Sequence, residues 1–214
     1  QGETGAPLEP STNRPRRILL AEDHPVNQRL ARKLLEKWGH TVVVAGNGRK
    51  ALEALERNSF DLVIMDVQMP EMNGLEATRH IRAQEKTSGA HLPIIAMTAH
   101  AMKGDREQCL SAGMDAYITK PIDPDLLFRT VEGTVSDNVV PLRKPRTGSF
   151  DPAGLLRRAG DDWSLAREVI NMFLDDTPEV LSQMLEAIAR KDLKAVERAA
   201  HRIKGAAANL EARD

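Results

Sequence analysis

The chain carries two hydrophobic rhythms. Up to about residue 131, apolar residues gather in short runs: Arg17-Ile18-Leu19-Leu20-Ala21, Thr41 to Ala45, Leu62-Val63-Ile64-Met65, Pro93-Ile94-Ile95-Ala96-Met97 and Ala116-Tyr117-Ile118-Thr119. Unbroken runs of this kind read as strands buried on both faces of a parallel sheet. Helical spacing lies between them. Val26, Leu30, Leu34 and Trp38 predict a helix that opens at Pro25 and closes at Gly39, and Ala51, Leu52 and Leu55 predict one ending near Asn58. Further helices are predicted from about Leu75 to Glu85, from Met102 to Ser111, and from an Asp123 N-cap through Leu126, Leu127 and Val131. Gly46-Asn47-Gly48 reads as a turn and Lys86-Thr87-Ser88-Gly89 as a loop. Five strands alternating with five helices give an α/β fold class: a five-stranded parallel, doubly wound sheet with right-handed crossovers.

From Asp151 the rhythm is helical throughout. Asp151-Pro152 starts a short helix through Leu155 and Leu156, and a longer helical stretch begins near Trp163. Val169, Ile170, Phe173 and Leu174 form its apolar side, continued by Val180, Leu181, Met184, Leu185 and Ile188. Pro178 between them lacks an amide hydrogen and is expected to kink or restart the helix. Asp192 then caps a helix with Leu193, Val196, Ala200, Ile203, Ala207 and Leu210 on one face. Two or three helices seldom enclose a core by themselves, so this all-α part is expected to be a partial helical bundle. Residues 1–15 and 136–150, rich in Gly, Pro and Ser, read as linkers, and Arg143-Lys144-Pro145-Arg146 reads as a solvated charge run.

The strand ends change the picture from fold to chemistry. Glu22 and Asp23 follow the first strand, Asp66 ends the third, Thr98 the fourth and Lys120 the fifth. In an open parallel sheet these positions share the edge where ligands bind. Three carboxylates suit a hard divalent cation such as Mg2+. Lys120 offers a point charge, Thr98 a hydroxyl, and Asp66 a nucleophilic oxygen, which together suit phosphoryl transfer. Taken singly, an acidic pair after a strand is more often an N-cap or turn, and Lys-Pro means little; the weight lies in the set.

A second candidate is His201, within Ala200-His201-Arg202-Ile203-Lys204-Gly205-Ala206-Ala207. It stands one residue off the apolar stripe and is expected at the solvent edge, with Lys204 and Gly205 at i+3 and i+4 on its face. Lys204 can attract a phosphoryl oxygen, and Gly205 admits a close approach over the imidazole. An ordinary surface histidine remains the plain alternative. His24, His40, His80 and His91 read as loop or exterior residues.

Composition narrows the partners. A net charge of −1 provides no case for nucleic acid or an anionic membrane. The single cysteine, Cys109, excludes disulfide and cysteine-zinc frameworks. No stretch approaches the roughly 20 apolar residues of a membrane span.

The residues Ala21-Glu22-Asp23, Met65 to Gly74, Met97-Thr98-Ala99 and Thr119-Lys120-Pro121 resemble the receiver domain of two-component response regulators, and in particular the receivers of hybrid sensor histidine kinases. The resemblance spans 16–135 with a flavodoxin-like fold. It implies that Asp66 takes phosphate from a phosphohistidine, with slow self-hydrolysis. It also implies that Asp23, Asp66 and the Gln68 carbonyl hold Mg2+, with Glu22 acting largely through water. Thr98 and Tyr117 would be switch residues, Lys120–Pro121 a cis bond, and Gln68 and His100 tuners of phosphate lifetime. Residues 151–214 resemble the first part of a histidine phosphotransfer domain, expected here to be incomplete.

The chain is therefore expected to be a phosphorelay fragment of a hybrid kinase, without an ATP-binding core, that relays phosphate between Asp66 and His201. Its expected partners are a sensor kinase core and other receiver or phosphotransfer domains. It is expected in the cytoplasm, with any membrane tether in segments upstream. Two alternatives stay open. One is a binding module that no longer transfers phosphate. The other is a metal-dependent phosphatase, which typically needs a second Asp where this chain has Gln68.

Overall fold

In the computed structural model, residues 15–98, 103–133 and 151–210 are described. The predicted linker 136–150, most of 1–15, and His100 lie outside them. Strands β1 (Arg17–Ala21), β2 (Thr41–Ala45), β3 (Leu62–Asp66), β4 (Ile94–Thr98) and β5 (Ala116–Thr119) form one sheet in the order β2-β1-β3-β4-β5. Every pairing is parallel. Helices α1 (Pro25–Lys37), α2 (Gly48–Arg57), α3 (Gly74–Ser88), α4 (Lys103–Ala112) and α5 (Pro124–Val131) alternate with the strands. The fold expected from the apolar runs is thus the fold observed.

The strands sort their side chains by the two-residue period of the pleat. Ile18, Leu20, Leu62, Ile64, Ile95 and Met97 face α1 and α5. Leu19, Ala21, Val63, Met65, Ile94 and Ala96 face the opposite layer with Ala51, Ala77 and Cys109. Both faces are apolar because both are covered, which is why the runs show no alternation.

Boundaries move where capping chemistry competes with loop composition. Asn73 caps α3 reciprocally with Glu76, and Gly89 ends the helix in a left-handed conformation at φ 70°. Lys86, Thr87 and Ser88, expected in a loop, are therefore helical. Gly48 likewise belongs to α2, because the Asn47 side chain accepts the Lys50 amide.

The C-terminal part comprises α6 (Pro152–Arg158), α7 (Trp163–Ala189) and α8 (Leu193–Asn209). Pro178 neither breaks nor restarts α7. The carbonyl it leaves without its usual donor belongs to Leu174, an exposed residue, and the Thr177 hydroxyl donates to the Phe173 carbonyl at 2.6 Å.

The helical part does not stand alone. Leu155, Ala159, Leu165, Ala166, Val169, Ala206 and Leu210 are buried in one cluster with Leu30, Leu34, Ile122 and Leu127. Arg29 pairs with Glu168 at 2.7 Å across the contact, and the Lys37 ammonium reaches the Gly160 carbonyl. Within α8 the buried residues are Ala199, Gly205, Ala206 and Asn209; of the predicted Leu193-to-Leu210 stripe Leu210 is buried, Val196, Ile203 and Ala207 are half-buried, and Leu193 and Ala200 are exposed. The small buried residues let α8 approach α1 closely. Leu193, and Leu174, Leu181, Leu185 and Ile188 of α7, stay exposed.

Leu34 is 1% exposed and lies under Gly160, whose position a Cβ would bring within 3.1 Å of it. Leu34→Ala is expected to cost about 2–5 kcal/mol of stability. Urea titration should show a lower midpoint, and because the cavity lies under both parts, they should unfold in one transition.

Candidate functional site

The sheet register builds the site. Ala21 of β1 pairs with Met65 of β3, so Glu22 and Asp66 are the next residues at one level. Asp66 pairs with Met97, and Thr98 with Thr119, so Thr98 and Lys120 follow at the same edge. The Glu22 amide donates to the Ala45 carbonyl and the Lys120 amide to the Thr98 carbonyl, extending the ladder one residue beyond the strands. All five predicted strand-end residues are brought together. Gly74 holds the loop after β3 against the strand: a Cβ there would lie 2.1 Å from the Asp66 carbonyl oxygen.

Glu22, Asp66, Thr98 and Lys120 are all buried, and Asp23 is half-buried. The Lys120 ammonium lies 2.5 Å from Asp66 Oδ2 and 2.7 Å from Glu22 Oε2. Asp66 Oδ1 accepts the Gln68 backbone N–H at 3.1 Å. One oxygen from each of Glu22, Asp23 and Asp66 fits within a 4.8 Å span. Despite the nearby ammonium, buried Glu22 Oε2 has no hydrogen-bond partner of good geometry among the described residues.

Three acids share one cation, and the protonation equilibria show the strain. Burial, then the Glu22 charge, pushes Asp66 well above the usual carboxylate range. The same two causes push Asp23 up to about 6, against the opposing pull of Lys120 and Arg202. Burial works against the Lys120 ammonium, but Glu22 and Asp66 outweigh it and hold its pKa above the ordinary lysine value. A further positive charge among the carboxylates would relieve all of this.

Residues 18–132 match the response regulator receiver domain, more than half of the 214 residues, and residues 168–214 match the Hpt domain. The chain belongs to the receiver domain family. Its receiver is followed by an Hpt domain, the arrangement of two-component phosphorelay signalling. The sensor protein GacS of Pseudomonas syringae pv. syringae is 36% identical over 217 residues, covering 96% of this chain and 24% of that protein. BarA of Escherichia coli K12 is 32% identical over 201 residues, 88% of this chain and 21% of that protein. The chain thus spans under a quarter of either relative.

Among solved structures, the receiver domain of the sensor histidine kinase PA1611 from Pseudomonas aeruginosa PAO1 is 42% identical, with a TM-score of 0.51 over 56% of this chain and 97% of that one. That receiver carries a magnesium ion coordinated in its active-site cleft. The chemotaxis protein CheY4 of Vibrio cholerae is 25% identical, with a TM-score of 0.53 over 57% of this chain and all of that one.

The other predicted residues fall around the receiver cluster. Gln68 is exposed beside Asp66, and Tyr117 is half-buried on β5 with the Arg106 guanidinium 5.9 Å from its ring centre. Lys120–Pro121 is cis. On α8, His201 is half-buried, Lys204 exposed and Gly205 buried. Gly205 faces Asn27 of α1 rather than open space: a Cβ there would lie 3.8 Å from Asn27 Nδ2.

Several residues escape a reading of the sequence. His24, expected to be peripheral, is buried; its Nδ1 accepts the Val26 amide to cap α1, and its Nε2 lies 3.5 Å from Asp176 of α7. His40 is also buried, 3.3 Å from Glu132. Asn27 donates to Glu22 Oε1 at 3.0 Å and accepts from Asn209 at 2.7 Å. A sequence signal exists only for Asn27, a polar residue beside the apolar positions of α1; a contact 182 positions apart leaves no spacing to read.

The raised Asp23 pKa makes a testable pH dependence. A carboxyl that binds its proton more tightly in the fold contributes stability below its ordinary pKa of 3.8, and that contribution is lost as pH rises to about 6. Asp23→Asn removes the charge. In chelator, its urea midpoint should exceed that of the unmodified chain above pH 6, with the difference shrinking toward pH 4. A gap that stays constant across this range would contradict the assignment.

Proposed function

We propose that this chain accepts a phosphoryl group on Asp66 from a phosphohistidine and exchanges it with a phosphotransfer histidine, for which His201 is the candidate on the same polypeptide. The observation that carries this reading is the Lys120 ammonium set 2.5 Å from Asp66 Oδ2, at a sheet edge that also presents Glu22, Asp23 and Thr98. One Asp66 oxygen attacks phosphorus as the P–N bond breaks, and the departing imidazole nitrogen keeps the bonding electrons. Lys120 pairs with the charge carried by the transferred oxygens, and the Thr98 hydroxyl can donate to one of them. Tyr117 is proposed to move with Thr98, and Gln68 and His100 to set how readily water reaches the acyl phosphate.

The donor set fits Mg2+: a half-buried and two buried carboxylates, one oxygen from each lying within a 4.8 Å span. Glu22, Asp23, Asp66 and the Gln68 carbonyl would hold it. Bound Mg2+ would supply the positive charge that the phosphoryl oxygens require there. We assign 16–135 to the receiver, 136–150 to a linker and 151–214 to the phosphotransfer part. By analogy with GacS and BarA, the chain would act within a hybrid sensor histidine kinase. Its partners would be that kinase's catalytic core and other relay domains, on the cytoplasmic side. No helix among the described residues is long and apolar enough to cross a membrane.

Incubation with acetyl phosphate and Mg2+ should add one phosphoryl group to the chain, at Asp66 by peptide mapping. EDTA should prevent the addition, as should Asp66→Asn. Turnover of small phosphate esters without a stable adduct would point instead to a phosphatase. His201→Gln should leave the Asp66 adduct but remove any acid-labile, base-stable phosphohistidine. An unchanged phosphohistidine signal would exclude His201.

A further inference from the structure

A continuous chain of buried polar contacts runs from the C-terminal end of α8 into the carboxylate cluster. The Ile122 backbone N–H donates to Asn209 Oδ1 at 2.9 Å. Asn209 Nδ2 donates to Asn27 Oδ1 at 2.7 Å, and Asn27 Nδ2 donates to Glu22 Oε1 at 3.0 Å. Asn209 is fully buried, Asn27 is 2% exposed and Glu22 is fully buried. Ile122 stands two residues beyond Lys120, and Lys120 pairs with Glu22 at 2.7 Å, so the contacts close into a ring around the site.

The direction of this chain follows from charge. A carboxylate accepts and does not donate, so Glu22 obliges Asn27 to turn its NH2 inward. The Asn27 carbonyl must then face α8, which obliges Asn209 to present its own NH2. The Asn209 carbonyl is left for the Ile122 amide. Each amide orientation is dictated by the one before it, starting from Glu22. Either Asn, if it reversed, would leave two buried acceptors or two buried donors facing each other.

The surroundings place α8 beside the site rather than at a distant flank. Gly205, one turn after His201, packs on Asn27. Arg202 is 3.4 Å from Asp176, which in turn lies 3.5 Å from His24, the residue after Asp23. The Arg158 guanidinium reaches the Ile122 carbonyl at 3.4 Å.

We propose that Asn209 is a positioning residue that docks the His201 helix on its own receiver, and that the docking is tied through Asn27 to Glu22 of the carboxylate cluster. Asn209 touches neither phosphate nor Asp66; it acts through Asn27. Because the two ends share one chain of hydrogen bonds, whatever re-aims Glu22 loosens α8, and whatever releases α8 frees Glu22. The consequence that His201 meets Asp66 within one polypeptide rests on the function proposed above; the docking does not.

The test uses the full chain without Mg2+ or phosphodonor, so its outcome is independent of whether Asp66 accepts phosphate. The readouts are hydrogen exchange at the Ile122 amide and the NMR signals of the Asn27 side-chain NH2, with far-UV circular dichroism as the check on folding. Asn209→Asp sets a carboxylate against the Asn27 carbonyl, and Ile122 exchange should quicken by about tenfold or more. Adding Glu22→Gln should restore part of the protection. The glutamine amide introduced beside the cluster can donate to Asn27 Oδ1, giving up the bond that Glu22 Oε1 accepts from the His24 backbone N–H at 3.1 Å, and Asn27 can then reverse and donate to the carboxylate introduced on α8. Asn209→Ala, which deletes the acceptor without adding charge, should quicken exchange similarly, and Glu22→Gln should not repair it. Unchanged protection in Asn209→Ala would show that Asn209 holds nothing. Failure of Glu22→Gln to rescue Asn209→Asp, or an equal rescue of Asn209→Ala, would overturn the link to Glu22. If Asn209→Asp fails to fold, the Asn209→Ala result alone decides the docking.

Discussion

One buried ammonium shared by three acids is the constraint on which the rest of the receiver turns. Lys120 reaches both Glu22 and Asp66, while the third carboxylate, Asp23, feels Lys120 and Arg202 only as weaker opposing charges. Burying a carboxylate without a partner is costly, and the upward shifts of Asp23 and Asp66 express that cost. A fold carries such a cluster only if the backbone leaves it no alternative. Here the alternative is removed by register: strands β1, β3, β4 and β5 deliver their terminal residues to one level, and both apolar layers lock that register. The stability of the sheet therefore sustains a charge imbalance that suits the binding of a cation and an anionic phosphoryl group, and disfavours the empty site.

The receiver is largely legible in the sequence because its signals are local. A run such as Leu62 to Met65 announces a doubly buried strand without reference to anything distant, and the residue following it must lie at the sheet edge. Glu22, Asp23, Asp66, Thr98 and Lys120 can be assembled from that rule alone. The departures are of another kind. Lys86, Thr87 and Ser88 read as loop by composition, but the capping of α3 at Asn73 and the left-handed Gly89 extend the helix over them. Pro178 reads as a kink or a restart, but at an exposed turn the missing hydrogen bond is tolerated and one helix of 27 residues runs through it. Composition and propensity describe what a segment prefers; the caps and neighbours decide what it does.

In the helical part the pattern misleads for a physical reason. The stripe Leu193, Val196, Ala200, Ile203, Ala207 and Leu210 is the most hydrophobic face of α8, and periodicity alone makes it the buried one. What meets the receiver is Gly205, Ala206 and Asn209, small rather than strongly apolar, with Leu210 of the stripe beside them. Small residues allow close approach of backbones, and hydrogen bonds between buried amides supply the specificity that large side chains would otherwise provide. A helix with two usable faces can serve two contacts at once. Ala206 and Leu210 join the receiver's core while Leu193 remains exposed, and with it much of the apolar side of α7.

That division bears on how a phosphotransfer histidine could be presented. A helix held only by its strongest apolar stripe would be fixed within its own bundle and indifferent to the receiver. A helix held by Asn209 against Asn27 is instead sensitive to the carboxylate on which Asn27 depends. Glu22 thus belongs to both systems. One of its oxygens lies against Lys120 in the phosphoacceptor cluster, and the other orders the amide chain that reaches α8. Glu22 and Asn209, near opposite ends of the described chain, are joined through Asn27 by two hydrogen bonds because each amide can point only one way. Direction, more than strength, makes the contact informative: an apolar contact of equal area would hold α8 equally well whatever the charge at the sheet edge, whereas this one holds it only while Glu22 accepts.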